Sequence, residues 1–272
     1  MDFLYGAELR RQVSERLDAF TRSPLDDDTL RAAAVALVIV GGGDDGEASL
    51  LLTRRPTHLN RHGGQFALPG GRVDDGETLV DAALRELDEE LGLTLGSGDV
   101  LGRLDDYPTR SGFRISPIVM WGGENPALNP DPNEVARIFH IPFHELDSPA
   151  LPNLIDSDAG DHPIMSVPLP ATGGLVYAPT AAMIYQFREV ALRGAATALA
   201  SLPIATAAGS CFRSILPELV RGHASTPTTT DGSMYAGSAS RAPPSAAVAL
   251  NGIATARPSA AALPSSATAA AG

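Results

Sequence analysis

The 272-residue chain contains no lysine: all 20 of its basic residues other than histidine are arginine. That bias points to a GC-rich coding sequence and carries no functional meaning. A single cysteine, Cys211, excludes an intrachain disulfide and a cysteine-rich zinc site. Positive charge is scarce. Against 32 acidic residues the formal net charge is −12, which argues against nucleic acid or an anionic membrane as partner, since both need a basic footprint. No apolar run approaches the ~20 residues of a membrane helix. The first residues, MDFLYGAELRRQ, lack the basic and then apolar regions of a secretory signal. The expectation is a soluble cytoplasmic protein, and an apolar content of 44% is enough for a globular core.

The pattern divides the chain into three parts. Residues 1–30 read as an N-terminal helix, with Leu9, Val13, Leu17 and Phe20 on one face, followed by a linker. Residues 31–200 read as the main domain. AAAVALVIVGGG, from Ala32, predicts a buried strand stopped by glycines, and ASLLLTRR its hairpin partner. VLGRLDDY and GFRISPIVMWG predict two more strands, NEVARIFHIPFHEL a strand and a short helical turn, and HPIMSVPL with GLVYA another pair. PTAAMIYQFREVALRG predicts a helix with Pro179 at its first position and Gly194 as its stop. Strands mixed with few helices, without regular alternation, favour a mixed α/β sandwich over a doubly wound sheet. Residues 201–272 turn to Ala, Ser, Thr, Pro and Gly without periodicity, and are expected to be disordered. A natural tail and a frameshifted C-terminus both fit that composition.

The chemistry concentrates in GRVDDGETLVDAALRELDEELGL, Gly71 to Leu93. A helix over Glu77–Leu91 places Val80, Leu84, Leu87 and Leu91 on one apolar stripe and Glu86, Glu89 and Glu90 within a separate arc. Like charges at these spacings repel. A solvated acidic face is the ordinary explanation of such a cluster. Three converging carboxylates are also what a hard cation with oxygen ligands requires. LPGG, Gly76 and Gly92 permit the tight turns of a rigid loop–helix–loop. Arg85 and Glu77 are spaced to lock loop to helix by an ion pair.

These residues carry a resemblance. Gly71, Glu77 and Arg85-Glu86-Leu87-Asp88-Glu89-Glu90-Leu91-Gly92-Leu93, at the spacing found here, resemble the Nudix box. The resemblance implies a Nudix-type α/β/α sandwich around a mixed sheet, and hydrolysis of a nucleoside diphosphate linked to another moiety with Mg²⁺ or Mn²⁺. It makes Glu86, Glu89 and Glu90 the metal ligands, with Arg85 and Glu77 orienting them and Gly71 offering its carbonyl. Glu134, just before a predicted strand, sits where related enzymes often carry a further acid; it is a candidate base or ligand beside Glu86 and Glu90, or an ordinary strand-start acid.

The preceding stretch, LLTRRPTHLNRHGGQFALPGG, resembles the extra motif of Nudix coenzyme A pyrophosphatases at Leu51, Leu52, Thr53, Arg55, Gly64, Pro69, Gly70 and Gly71. It departs at Pro56, Asn60 and Leu68, with Arg61 one place from the missing arginine. Arg54, Arg55, His58, Arg61 and His62 form a local basic cluster in an acidic chain. Such a cluster suits a polyanion, and coenzyme A carries a 3′-phosphate besides its pyrophosphate. Arg55, Arg61, His62, Gln65, Gly70 and Gly71 are therefore the candidate substrate-binding residues. Arg110 and Arg114 are weaker ones, and His140 and His144 read as structural. The expected activity converts coenzyme A, or an acyl derivative, to 3′,5′-ADP and 4′-phosphopantetheine or its acylated form. The alternatives are a Nudix pyrophosphatase for another nucleoside diphosphate derivative such as ADP-ribose, and a non-catalytic ligand sensor. The implied partner is a small nucleotide, with no nucleic acid and no membrane, and a homodimer is left open.

Overall fold

The computed structural model describes residues 3–197 apart from residues 24, 26, 43, 44, 60, 61 and 156–162. The low-complexity stretch and Arg61 therefore lie outside the described residues. In chain order the elements are α1 (Ala7–Ala19), β1 (Arg31–Gly41), β2 (Ser49–Arg54), β3 (Phe66–Ala67), β4 (Gly70–Arg72), α2 (Leu79–Leu91), β5 (Val100–Arg103), β6 (Tyr107–Pro108), β7 (Phe113–Glu124), β8 (Arg137–Pro142), α3 (Phe143–Leu146), β9 (Asn153–Ile155), β10 (Ile164–Leu169), β11 (Gly174–Tyr177) and α4 (Thr180–Phe187).

The apolar run of β1 is buried on both faces, which explains why it alternates so little. Ala34, Ala36, Val38 and Val40 point into one core with Ala83, Leu87 and Leu91 of α2. Val35, Leu37 and Ile39 point into the other, shared with Leu9, Val13 and Leu17 of α1 and with Ile184 and Phe187 of α4. Successive strand residues face opposite ways, so one strand serves both layers. The result is an α/β/α sandwich around a mixed sheet.

The order across that sheet is β3-β2-β1-β7-β5, with β4 on β1, β6 on β7 and β8 on β2. The predicted hairpin of β1 and β2 is present, Ile39 opposite Leu50. The long parallel pairing of β1 with β7, from Arg31 opposite Phe113 onward, has no local signal in the sequence. β9, β10 and β11 form a separate antiparallel sheet. Its Gly174 lies beside β3, where a Cβ would stand 3.5 Å from the Phe66 ring, and the Thr180 hydroxyl of α4 donates to the Phe66 carbonyl at 3.5 Å. Among the described residues, no helix is long and apolar enough to cross a membrane.

Two helix starts and one buried stripe differ from the sequence reading. α2 begins at Leu79, because Thr78 caps it: its hydroxyl accepts from the Asp81 amide at 3.1 Å, and the Asp81 carboxylate accepts in return from Thr78. Glu77 is therefore left in the loop. Val80 and Leu84 are only half-buried, and Ala82, Ala83 and Glu90 join Leu87 and Leu91 on the covered side. Pro179 precedes α4 as its cap instead of opening it, and the last turn widens over Arg188–Leu192 before Gly194 ends it at φ 70°.

The loop that leads to α2 is pinned on β1. The Ala36 amide donates to the Pro69 carbonyl at 2.8 Å, and Gly70 lies opposite Val35. Gly70 has φ 152°, and a Cβ there would lie 2.3 Å from the Ala34 carbonyl oxygen. Neither the conformation nor the space admits a side chain. Gly70→Ala is expected to destabilise the protein by ~3 kcal/mol or more, since the clash is with central-strand backbone that cannot yield. A shift of the thermal or urea midpoint within the range of neutral surface substitutions would contradict that packing.

Candidate active site

Arg85 organises the site. Its Nε and one Nη hold both carboxylate oxygens of Glu77, at 2.9 and 3.1 Å. The other Nη donates to Glu86 at 2.9 Å and to Glu89 at 3.1 Å. One further bond reaches back to the Arg72 carbonyl at 3.0 Å. The ion pair expected between loop and helix is thus present, and it is bidentate, the geometry that adds direction to strength. Glu77 also accepts the Asp74 amide at 3.0 Å. The Arg85 guanidinium holds the Glu77 carboxyl below the usual carboxylate range. The Arg72 carbonyl was not singled out from the sequence, because backbone acceptors leave no mark in side-chain pattern.

The carboxylates differ in environment. Glu89 is well exposed, its side chain at 59%. Glu86 is half-buried, and burial raises its pKa against the lowering effect of Arg85. Glu90 is only 4% exposed. Burial first, then the charge of Glu134, pushes its carboxyl up to about 8, although the Gly70 amide donates to it. Glu134 is exposed on the turn before β8, yet its charge reaches both Glu86 and Glu90. Arg55 exerts the opposing positive influence on Glu90. The fold therefore gathers Glu86, Glu90, Glu134 and Arg55 from three separate segments.

Gly71 makes the close approach possible. A Cβ there would stand 2.1 Å from one Glu86 oxygen and 2.4 Å from its carboxyl carbon. The glycine is the seat on which the Glu86 carboxylate rests.

Other predicted residues are placed differently. His62 Nδ1 and the Gln65 side-chain oxygen lie 3.0 Å apart in an exposed turn, with His62 at φ 56°. Gln65 thus serves its own turn. His58 is exposed beyond it. Arg114 lies 3.9 Å from Asp106 and donates to the Leu25 carbonyl, in a network with Arg103 and Ser116 that is structural. His144 pairs with Glu47 at 2.7 Å near the N-terminus. Glu89 is tied to Arg85, and among the described residues no group of three or more His, Cys, Asp or Glu side chains is arranged to hold a metal ion. Glu86 and Glu134 both act electrostatically on Glu90, and Glu134 also acts on Glu86.

Residues 29–160 match the family model of the NUDIX domain. That match spans just under half of the chain. The chain is 42% identical over 100 residues to the uncharacterised Nudix hydrolase NudL of Yersinia enterocolitica, covering 36% of this chain and 51% of that protein. It is 43% identical over 100 residues to NudL of Yersinia pestis, with 36% and 50% covered. The chain thus spans about half the length of these relatives. Among solved structures it is similar to a MutT protein from Methanosarcina mazei Go1, at 25% identity and TM-score 0.35, covering 45% of this chain and 83% of that one. A MutT/nudix family protein from Enterococcus faecalis matches at 15% identity and TM-score 0.40, covering 68% and 75%.

A buried acid near pH 8 weakens the metal-free fold. With its folded-state pKa raised, Glu90 contributes least harm below pH 4.5, and stability is lost as pH rises through about 8. The neutral amide of Glu90→Gln keeps an acceptor for the Gly70 amide without that cost. Scanning calorimetry in chelator is expected to show the variant melting above the parent, by a margin that widens between pH 5 and pH 8. A variant that melts lower throughout would mean that Glu90 has a compensating cation-like partner in the fold.

Proposed function

We propose that the Nudix domain hydrolyses the pyrophosphate bond of coenzyme A or an acyl-coenzyme A, releasing 3′,5′-ADP and 4′-phosphopantetheine or its acylated form. The observation that carries this reading is the convergence of Glu86, Glu90 and Glu134 beside Arg55, in a chain whose LLTRRPTHLNRHGGQFALPGG stretch resembles the coenzyme A pyrophosphatase motif. The carboxylates offer an all-oxygen donor set whose mutual repulsion Arg85 and Arg55 relieve only in part, which fits Mg²⁺ or Mn²⁺. Glu86 and Glu90 would hold such an ion, and Glu89 would join them by exchanging its contact with Arg85. When bound, the ion supplies charge neutralisation at the phosphates and a more acidic water.

The chain's own groups do the rest. Arg85 anchors Glu86 by a hydrogen bond, so the carboxylate keeps its place as charge builds. Arg55 offers a guanidinium for a phosphate oxygen on the side of Glu90. Glu134 reaches the patch from an exposed turn, and takes the proton of the attacking water as general base. The departures at Pro56, Asn60 and Leu68 favour a second reading, in which the substrate is another nucleoside diphosphate derivative such as ADP-ribose.

The test is incubation with coenzyme A, dephospho-coenzyme A and ADP-ribose in Mg²⁺ or Mn²⁺, with products separated by chromatography. Metal-dependent 3′,5′-ADP from coenzyme A is the expected product. Cleavage of ADP-ribose alone would transfer the assignment to the second reading. Gly71→Ala should leave the fold cooperative and cut turnover by about tenfold or more, since the new methyl displaces the Glu86 carboxylate. Glu86→Gln and Glu90→Gln should each cost about two orders of magnitude or more in kcat. Near-parental rates in both would remove these carboxylates from the chemistry.

A further inference from the structure

β2 and β8 are antiparallel, and their register sets Arg54 directly opposite Arg137. Both are exposed. Side chains so paired have Cβ atoms ~5 Å apart, and like charges there are destabilising. The pair is nevertheless built with care. Arg137 lies over the Phe139 ring at 4.7 Å from its centre, and Arg54 over Phe66 at 5.8 Å. The two rings meet edge to face at 5.5 Å. Phe66 is the partner of Arg54 on the other side, in β3. A single row therefore crosses three strands, two guanidiniums on an aromatic floor. Arg54 uses its Nε on the Gly64 carbonyl at 3.1 Å, which fixes the plane of its fork. Among the described residues neither guanidinium makes an ion pair with a carboxylate.

Packing alone accounts for the cation–π contacts. It does not account for two opposed positive charges where neutral polar side chains would cover the same rings without repulsion. An anion between the two forks relieves that repulsion and accepts several charge-assisted hydrogen bonds. The position also has a meaning. Arg55 continues the ladder, its amide donating to Gln65 and its carbonyl accepting from Gly64. Consecutive extended residues point to opposite faces. Arg54 therefore emerges on the face of Leu50 and Leu52, while the charge of Arg55 acts on Glu90. The two arginines straddle one edge of the sheet, at the end that holds the carboxylates.

We propose that Arg54 and Arg137 form a clamp for a second phosphate of the substrate, a phosphomonoester remote from the pyrophosphate that is cleaved. This rests on the nucleotide-hydrolase reading and assigns Arg137, outside the motif that resembles the coenzyme A enzymes, as a specificity residue.

The experiment measures binding by calorimetry, without turnover, of 3′,5′-ADP and of AMP to the full chain. The parent is expected to hold 3′,5′-ADP about tenfold tighter or more, the worth of one charge-assisted contact. Arg137→Gln should erase that preference while AMP binding persists. Arg137→Lys should restore part of it, since charge returns without the planar fork. Arg54→Gln is the second arm, needed because Arg54 also ties the Gly64 turn. Equal affinity for the two nucleotides in the parent, or a preference that survives both glutamine variants, overturns the clamp. A preserved preference in a protein that cleaves no pyrophosphate would instead remove the proposed function and leave the clamp standing.

Discussion

Four acceptors around one guanidinium organise this molecule. Arg85 joins the loop acid Glu77, the helix acids Glu86 and Glu89, and the Arg72 carbonyl of β4. Without it, three glutamates within five residues would repel one another on one helix. With it, the repulsion is partly discharged, the loop is fastened to the helix, and Glu86 is set on Gly71. Glu90 lies beyond its reach and keeps its unfavourable burial. That residual cost is the kind of perturbed carboxyl that marks functional sites.

The placement of Arg85 depends in turn on β1. This strand carries β4 as well as β2 and β7, and its alternate residues belong to two cores. α2 lies on one of those cores through Ala83, Leu87 and Leu91, so the helix cannot slide relative to the loop that Gly70 pins to Val35. Close packing of this kind holds carboxylates in place more firmly than side-chain bonds alone, because a shift would open cavities in the Leu87 layer.

Much of this was legible residue by residue. α1 shows its buried face as Leu9, Val13 and Leu17, and Glu77 and Arg85 announce their ion pair by spacing. Gly92 ends α2 at φ 63°, as a glycine after an amphipathic run should. The start of α2 was misplaced because Glu77 continues the acidic helix pattern, and only the reciprocal bonds of Thr78 and Asp81 show that it stands outside. The three acids expected to converge differ in environment, Glu89 exposed, Glu86 half-buried and Glu90 buried, which their spacing along the chain does not show.

By itself the sequence determined the element types, the acidic box and the family resemblance, because these depend on periodicity and short spacings along one segment. The tertiary structure alone decided which carboxylate is buried, how Glu134 and Arg55 come to act on it, and that Arg137 faces Arg54. Those facts arise from the parallel pairing of β1 with β7 and the pairing of β2 with β8. The register of strands distant in the chain is set by the joint packing of both faces of the sheet, a sum over many contacts that no local stretch records.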